Sequence, residues 1–203
     1  VLFVVTGPSG CGKSTLIRRV LRRLPGLRFS ISHTTRPPRE REVNGRDYYF
    51  VGRDEFQGMV DAGAFVEWAV VHGHAYGTSK TELESRSEAE DVVLDIDVQG
   101  ARQVKGRGLG AEFIFVVPPR FDDLRARLEK RGQDSPDVIR RRLETAIEEV
   151  GAIPEFDDLV INDRLKRAVE DLASIIRAGR CRVSRRPAEL EAVLRTFREA
   201  RLD

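Results

Sequence analysis

The chain has little sulfur, little net charge and no long apolar run. Its two cysteines, Cys11 and Cys181, lie far apart, so no disulfide framework is expected. No apolar stretch approaches the ~20 residues that a membrane-spanning helix needs. Neither a charged leader nor a small-residue cleavage site precedes the first apolar run, Val1 to Val5, so no targeting segment is expected. Lys and Arg total 35 against 33 for Asp and Glu, a formal charge of +2, which leaves no whole-molecule field to gather a polyanion. Any anion site must be local. The expectation is a cytoplasmic protein with no nucleic-acid and no membrane partner, and homo-oligomer formation is left open. Its 203 residues suffice for one full core with insertions.

What is present is a repeated pattern. Val1 to Val5 is a run of strand formers, followed by a glycine-rich stretch and then Leu16, Ile17, Val20, Leu21 and Leu24 at helical spacing. Similar runs recur at Val92 to Ile96, Phe113 to Val117 and Leu159 to Ile161, each with a helix-capable segment after it. This repetition predicts a parallel central sheet covered on both faces. Leu165, Ala168, Val169, Leu172, Ile175 and Ile176 make an apolar stripe that ends before Gly179 and predicts the last helix of the repeat. From about Ser32 to Arg86 aromatics, glycines and short alternating strands such as Ala64 to Val71 replace the repeat, so 32–86 is expected to be an inserted lobe. Arg131 to Asp137 has the composition of a turn and is expected to be a lid, with a flanking helix reaching about residue 150. Residues 1–31 and 87–180 then form the core, and 181–203 a tail that is a terminal helix or a frayed end.

The strongest chemical signal is Gly7-Pro8-Ser9-Gly10-Cys11-Gly12-Lys13-Ser14-Thr15. A Gly, four residues, then Gly-Lys-Ser between a strand and a helix is the phosphate-loop pattern. The glycines allow consecutive N–H groups to converge on phosphate oxygens, and the helix dipole adds to them. Lys13 would reach the β and γ phosphates of ATP, and the Ser14 hydroxyl would bind magnesium. Cys11 fills a free position of the loop, where the helix N-terminus acts to lower its thiol pKa.

A phosphate loop names a nucleotide but not a reaction. Arg36, Arg39 and Arg41 fall within TTRPPRER, where Pro37 and Pro38 stiffen the chain and could aim guanidinium groups at a phosphate. Glu40 and Glu42 are interleaved, so a charge-balanced solvated loop is the alternative. Further along stand Asp47-Tyr48-Tyr49-Phe50, Phe65-Val66-Glu67-Trp68, Tyr76-Gly77-Thr78-Ser79 and Leu94-Asp95-Ile96-Asp97-Val98-Gln99-Gly100. In that order and spacing these segments resemble guanylate kinase, over about Leu2 to Ala178.

The resemblance implies an α/β P-loop NTPase fold in three layers, with a nucleoside-monophosphate-binding lobe and a short lid. It implies transfer of the γ-phosphoryl of ATP to GMP, and acceptance of dGMP also. On the acceptor side Arg36, Arg39, Tyr48 and Tyr76 would hold the GMP phosphate, while Glu67, Ser32 and Thr78 would read the guanine. A carboxylate accepts from the N1–H and 2-amino group of guanine, whereas adenine offers a lone pair at N1 and no 2-amino donor. Asp95 would join Ser14 near magnesium and Asp97 would face the acceptor, unless one of the two only caps the following helix. Arg131 and Arg142 match lid arginines that act in catalysis with Lys13 and Arg36; Arg140 and Arg141 read as solvated neighbours. Asn162 and Asp163 would lie near the ATP adenine. Glu67 also admits a plainer reading, a solvated carboxylate on the polar face of a strand, and His33 either tunes pH dependence or packs. Two rivals remain: a P-loop kinase with another acceptor, such as a ribose bisphosphate, and a protein-binding module that keeps the fold without the chemistry.

Overall fold

The apolar runs become the strands of one sheet: those at Leu2–Thr6, Asp91–Asp95 and Glu112–Val117 are buried on both faces, whereas the run at Asp158–Ile161, on the sheet edge, buries only Val160 fully and exposes Leu159 and Ile161. In the computed structural model of the chain, the residues described are 1–84, 90–130, 132 and 135–200. The elements run β1 (Leu2–Thr6), α1 (Lys13–Leu21), β2 (Leu27–Phe29), β3 (His33–Thr34), β4 (Tyr49–Phe50), α2 (Arg53–Asp61), β5 (Phe65–Val71), β6 (His74–Ser79) and α3 (Lys80–Glu84). They continue with β7 (Asp91–Asp95), α4 (Val98–Gly106), β8 (Glu112–Val117), α5 (Phe121–Lys130), α6 (Pro136–Gly151), β9 (Asp158–Ile161), α7 (Leu165–Arg180) and α8 (Pro187–Glu199).

The five-stranded sheet has the order β2-β7-β1-β8-β9 and every pairing in it is parallel. Alternation along β1 divides the core. Phe3 and Val5 pack with Leu16, Ile17 and Val20 of α1 and Leu172 and Ile176 of α7. Leu2 and Val4 point the other way, toward Ala101 and Val104 of α4. The chain is therefore an α/β protein with a parallel sheet covered by helices on both faces, as the strand-helix repeat predicts. One strand has no counterpart among the predicted runs: β2 is three residues long, LRF, and half-buried at the sheet edge, too short to show a period.

The aromatic and glycine-rich segment forms a second sheet, of order β4-β3-β6-β5, in which β5 and β6 make an antiparallel hairpin. The carboxyl ends of β1 and β7 and the inner face of this second sheet open onto the same space. The turn of the hairpin uses His72 at φ 50° and Gly73 at φ 82°, a left-handed pair of the kind that matches strand twist.

After α5 ends at Lys130, α6 starts at Pro136 with Ser135 as its cap, the Ser135 hydroxyl accepting from Val138 N–H at 3.4 Å. The expected lid, 131–137, begins between them and ends inside α6, which already holds Pro136 and Asp137; Arg131, Gln133 and Asp134 fall outside the described residues. The boundary of the expected lobe at Arg86 falls outside them as well. Beyond Arg180 the chain forms α8, a terminal helix with no buried residue. Among the described residues, no helix is long and apolar enough to cross a membrane.

Phe115 tests how far the second face of the sheet depends on packing. It is fully buried on β8, with Val98 and Ala152 around it and its ring 5.1 Å from that of Phe156. Phe115→Ala is expected to cost about 3–5 kcal/mol through lost contact and a cavity. Urea unfolding followed by circular dichroism should show the midpoint falling at unchanged slope.

Candidate functional site

The loop between β1 and α1 exists because three glycines take conformations that side chains disfavour. Gly7, Gly10 and Gly12 have φ of 144°, 94° and 100°. Gly7 also passes so close to β8 that a Cβ there would sit 1.9 Å from the Val116 carbonyl oxygen. The Cys11 carbonyl fixes the loop from outside: it accepts from Arg127 Nη1 at 3.0 Å and from Asn162 Nδ2 at 2.7 Å. Arg127 closes the triangle by donating to the Asn162 carbonyl at 2.7 Å. Arg127 is a site residue that sequence reasoning missed, since one arginine on a charged helix face carries no signal of its own. Asn162, expected near the adenine, is buried and occupied in this brace, and it borders a cleft of about 380 Å³ with Gly10, Gly12, Thr15, Arg127 and Lys130.

Inside the loop Lys13 Nζ donates to the Gly7 carbonyl and stands 3.9 Å from an Asp95 oxygen. Burial acts to lower the Lys13 pKa, but the interaction with Cys11 and then with Asp95, Glu149 and Asp97 outweighs burial and raises it, so the ammonium stays charged. The Ser14 hydroxyl donates to Asp95 Oδ2 at 2.9 Å. For Cys11 the expectation reverses. The thiol is fully buried, and burial raises its pKa more than Lys13 lowers it.

Asp97 caps α4, its Oδ1 accepting from Gly100 N–H at 2.8 Å. It does so while lining the cavity beside the glycine loop, where burial raises its pKa. Capping and facing the cavity are thus compatible at one residue.

On the second sheet the decisive side chain is Glu67. A register shift in β5 between Phe65 and Glu67 interrupts strict alternation, so Phe65, Val66 and Glu67 are all buried. Glu67 is 3% exposed and its neighbour Trp68 is 39% exposed. This reverses the plainer reading in which Glu67 takes the polar face. Glu67 Oε1 accepts from Thr78 N–H at 2.9 Å and from Thr78 Oγ1 at 2.6 Å. Burial pushes its pKa up to about 7, against the opposing pull of the Thr78 donors and with help from Asp97.

Beside Glu67 the aromatic and basic residues cluster. The rings of Tyr48 and Tyr76 meet edge to face at 5.9 Å, and the Arg36 guanidinium lies 5.5 Å from the Tyr48 ring centre. Burial raises the Tyr48 pKa well above that of a free phenol, so it is a neutral donor. Arg36 is held on three sides. Its Nε donates to the Tyr76 hydroxyl at 3.2 Å, its Nη1 to the Pro37 carbonyl at 2.7 Å and its Nη2 to Glu42 Oε1 at 2.9 Å. Glu42 also accepts from Arg39 N–H at 2.8 Å, so the charge-balanced loop of the sequence is an ordered turn that orients Arg36. His33 stacks on Tyr49 at 4.7 Å, and burial lowers its pKa, which makes it a neutral packing residue at pH 7.

These groups converge. One cavity of about 250 Å³ is bounded by the loop from Gly7 to Thr15 on one side and by Ser32, Arg39, Tyr48, Glu67 and Tyr76 on the other. Asp95 and Asp97 form its floor. From α6 come Arg142 and, seven residues on along the same helix face, Glu149, which the sequence did not single out. Arg36 and Thr78 stand behind this wall, bonded to Tyr76 and Glu67. Arg131 lies outside the described residues. Arg140 pairs with Glu144 at 3.9 Å on the exposed side of α6.

The buried carboxylate has a measurable consequence. Its folded pKa of about 7 lies above the value of 4.5 usual for a glutamate, so the folded protein holds a proton that the unfolded chain releases first. Stability should therefore fall as pH rises from about 4.5 to 7, by about 3 kcal/mol, and stay level above that. Glu67→Gln should remove this component. Urea unfolding of both proteins between pH 4.5 and 8 checks it.

The arrangement has close parallels. The family model described as "Guanylate kinase" matches residues 1–179. A guanylate kinase of Geobacter metallireducens is 48% identical over 198 residues, covering 97% of this chain and 96% of that one. A guanylate kinase of Thermotoga maritima is 48% identical over 191 residues, covering 94% and 92%. The crystal structure of guanylate kinase from Anaplasma phagocytophilum superposes with a TM-score of 0.79 at 28% identity, covering 97% of this chain and 95% of that chain.

Proposed function

This chain belongs to the guanylate kinase family, and on that premise we propose how its cavity transfers the γ-phosphoryl of ATP to GMP to give ADP and GDP. The observation that carries the reading is the meeting of a phosphate loop and a buried, Thr78-clamped carboxylate across one cavity. The core is a P-loop NTPase fold in three layers, 1–31 with 87–180. The lobe at 32–86 takes GMP, the segment about 131–137 is the lid, and 181–203 is a tail. The carboxyl ends of parallel strands are where such sheets receive ligands, which supports the assignment.

The ATP phosphates lie in the loop from Gly7 to Thr15, against its N–H groups and the N-terminus of α1. Lys13, charged and already drawn toward Asp95, takes the β and γ phosphates. Ser14 and Asp95 present two adjacent hard oxygen donors 2.9 Å apart, a set that suits magnesium completed by phosphate oxygens and water. When bound, that ion would neutralise charge on the transferring phosphates. The adenine end of ATP leaves past Gly12 and Thr15 toward the cleft beside Asn162 and Arg127.

GMP occupies the opposite wall. Arg36, Arg39, Tyr48 and Tyr76 hold its phosphate, two through charge and two through phenol hydroxyls. Glu67, with Ser32 and Thr78, reads the base. With Oε1 taken by Thr78, ionised Glu67 still has lone pairs for the N1–H and 2-amino donors of guanine. At ~1.5–3 kcal/mol per charge-assisted bond, losing both costs roughly 3–6 kcal/mol, or about two to four orders of magnitude against AMP. The attacking phosphate oxygen of GMP is already anionic, so transfer needs no general base and proceeds in line. Lys13, Arg36 and Arg142 screen the two anions as they approach. The intact Lys13 and Ser14 argue against a binding module without chemistry, and the buried Glu67 argues against an acceptor that has no base to read.

The test is ADP formation from Mg-ATP with GMP, AMP, CMP or UMP as acceptor. Turnover with GMP alone is expected, and Glu67→Gln should lower kcat/KM for GMP about 100-fold or more while KM for ATP stays within about threefold. Folded protein that does not turn over GMP would sink the reading.

A further inference from the structure

Which feature of the fold seats the Glu67 carboxylate is visible on α4. The carboxylate is held from two sides. Thr78 donates twice to Oε1, at 2.9 and 2.6 Å. Against the other side lies the backbone of Gly100, in the first turn of α4. A Cβ on Gly100 would stand 2.4 Å from Glu67 Oε2 and 3.1 Å from its Cδ, far inside ordinary contact. Because Glu67 is buried and its strand is bulged at this point, its side chain has little room to yield without leaving Thr78. One turn further along α4, Gln103 clasps the next strand residue. Its Oε1 accepts from Trp68 N–H at 3.1 Å and its Nε2 donates to the Trp68 carbonyl at 2.7 Å.

We infer that α4 sets acceptor specificity through two positioning residues: Gly100, whose missing side chain makes the seat for the Glu67 carboxylate, and Gln103, which locks β5 against the helix at that register. The inference rests on Glu67 reading guanine. The two donors of guanine are parallel and coplanar with the ring, so the carboxylate must lie in that plane to accept from both. Thr78 and the bare backbone of Gly100 together fix the plane. Any side chain at 100 tilts the carboxylate and separates it from Thr78, while the phosphate loop, on the other wall of the cavity, is untouched. No left-handed φ requires glycine at this position, and glycine is a poor helix former, so local backbone preference alone would favour alanine here. Space for the carboxylate is what glycine provides.

The experiment compares Gly100→Ala, Gln103→Ala, Glu67→Gln and, as a control, Gly106→Ala on the same helix, where a Cβ meets nothing within 4 Å. Steady-state kinetics with GMP and AMP and thermal unfolding are measured for each. Gly100→Ala is expected to raise KM for GMP tenfold or more, with kcat at saturating GMP and KM for ATP within about threefold of wild type. Its preference for GMP over AMP should narrow, and combining it with Glu67→Gln should add little to the loss from Glu67→Gln alone. Gln103→Ala should move KM for GMP the same way by a smaller factor, and Gly106→Ala should leave it unchanged. If Glu67→Gln keeps full selectivity, the guanine reading of Glu67 fails and the inference with it. If Glu67→Gln loses selectivity but Gly100→Ala retains wild-type KM and preference, the inference alone is overturned. Should Gly100→Ala fail to fold, an unchanged KM for GMP in Gln103→Ala overturns it, and a raised one with narrowed preference supports it.

Discussion

Parallel pairing of β1 with β7 is the constraint on which the rest of the site depends. The register sets Val5 opposite Asp95, so the phosphate loop and the acidic turn leave the sheet at the same edge and at the same height. That is why Ser14 and Asp95, 81 residues apart in sequence, share a hydrogen bond. A slip of β7 by one residue against β1 would turn Leu94 to the opposite face and remove it from the cluster it shares with Val4, Ala101 and Val104. The apolar layers on the two faces of the sheet therefore also hold the catalytic register.

From that edge the two walls of the cavity are secured differently. The donor wall is a backbone structure. Three glycines at positive φ make its shape, and one carbonyl, that of Cys11, ties it to α5 and to the segment after β9 through Arg127 and Asn162. The acceptor wall is a side-chain structure, in which Glu67, Thr78, Tyr48, Tyr76 and Arg36 orient one another. On the proposed function, the backbone amides bind phosphates whatever the base, and the buried carboxylate selects the base. Burying that carboxylate destabilises its charged form.

Much of this was legible in the sequence where a local pattern carries a physical reason. The phosphate loop is one, because glycine spacing, Lys13 and Ser14 are all set by local backbone geometry. The parallel sheet is another, since strands buried on both faces must be continuously apolar. Other features were not legible. The edge strand β2 is too short to show a period. Glu67 stands between apolar Val66 and Trp68, where a lone carboxylate reads as solvent-facing, but it shares the buried face of β5 with Phe65 and Ala69. Cys11 sits at a helix N-terminus, which by itself lowers a thiol pKa, but burial prevails.

The sequence by itself determined that a loop of the phosphate-loop pattern joins the first strand to the first helix, that a parallel α/β sheet carries it, and that a resemblance to guanylate kinase spans most of the chain. Those properties depend on neighbours within a few residues or on spaced motifs. Only the tertiary structure decided that Arg127 and Asn162 brace the loop, that Glu42 orients Arg36, and that Gly100 makes room for Glu67. The contact of Glu42 with Arg36 lies within one turn, but the others span tens to more than a hundred residues, and each of those depends on where two elements meet rather than on what either one is. No local pattern encodes a space left empty for a side chain that arrives from another strand.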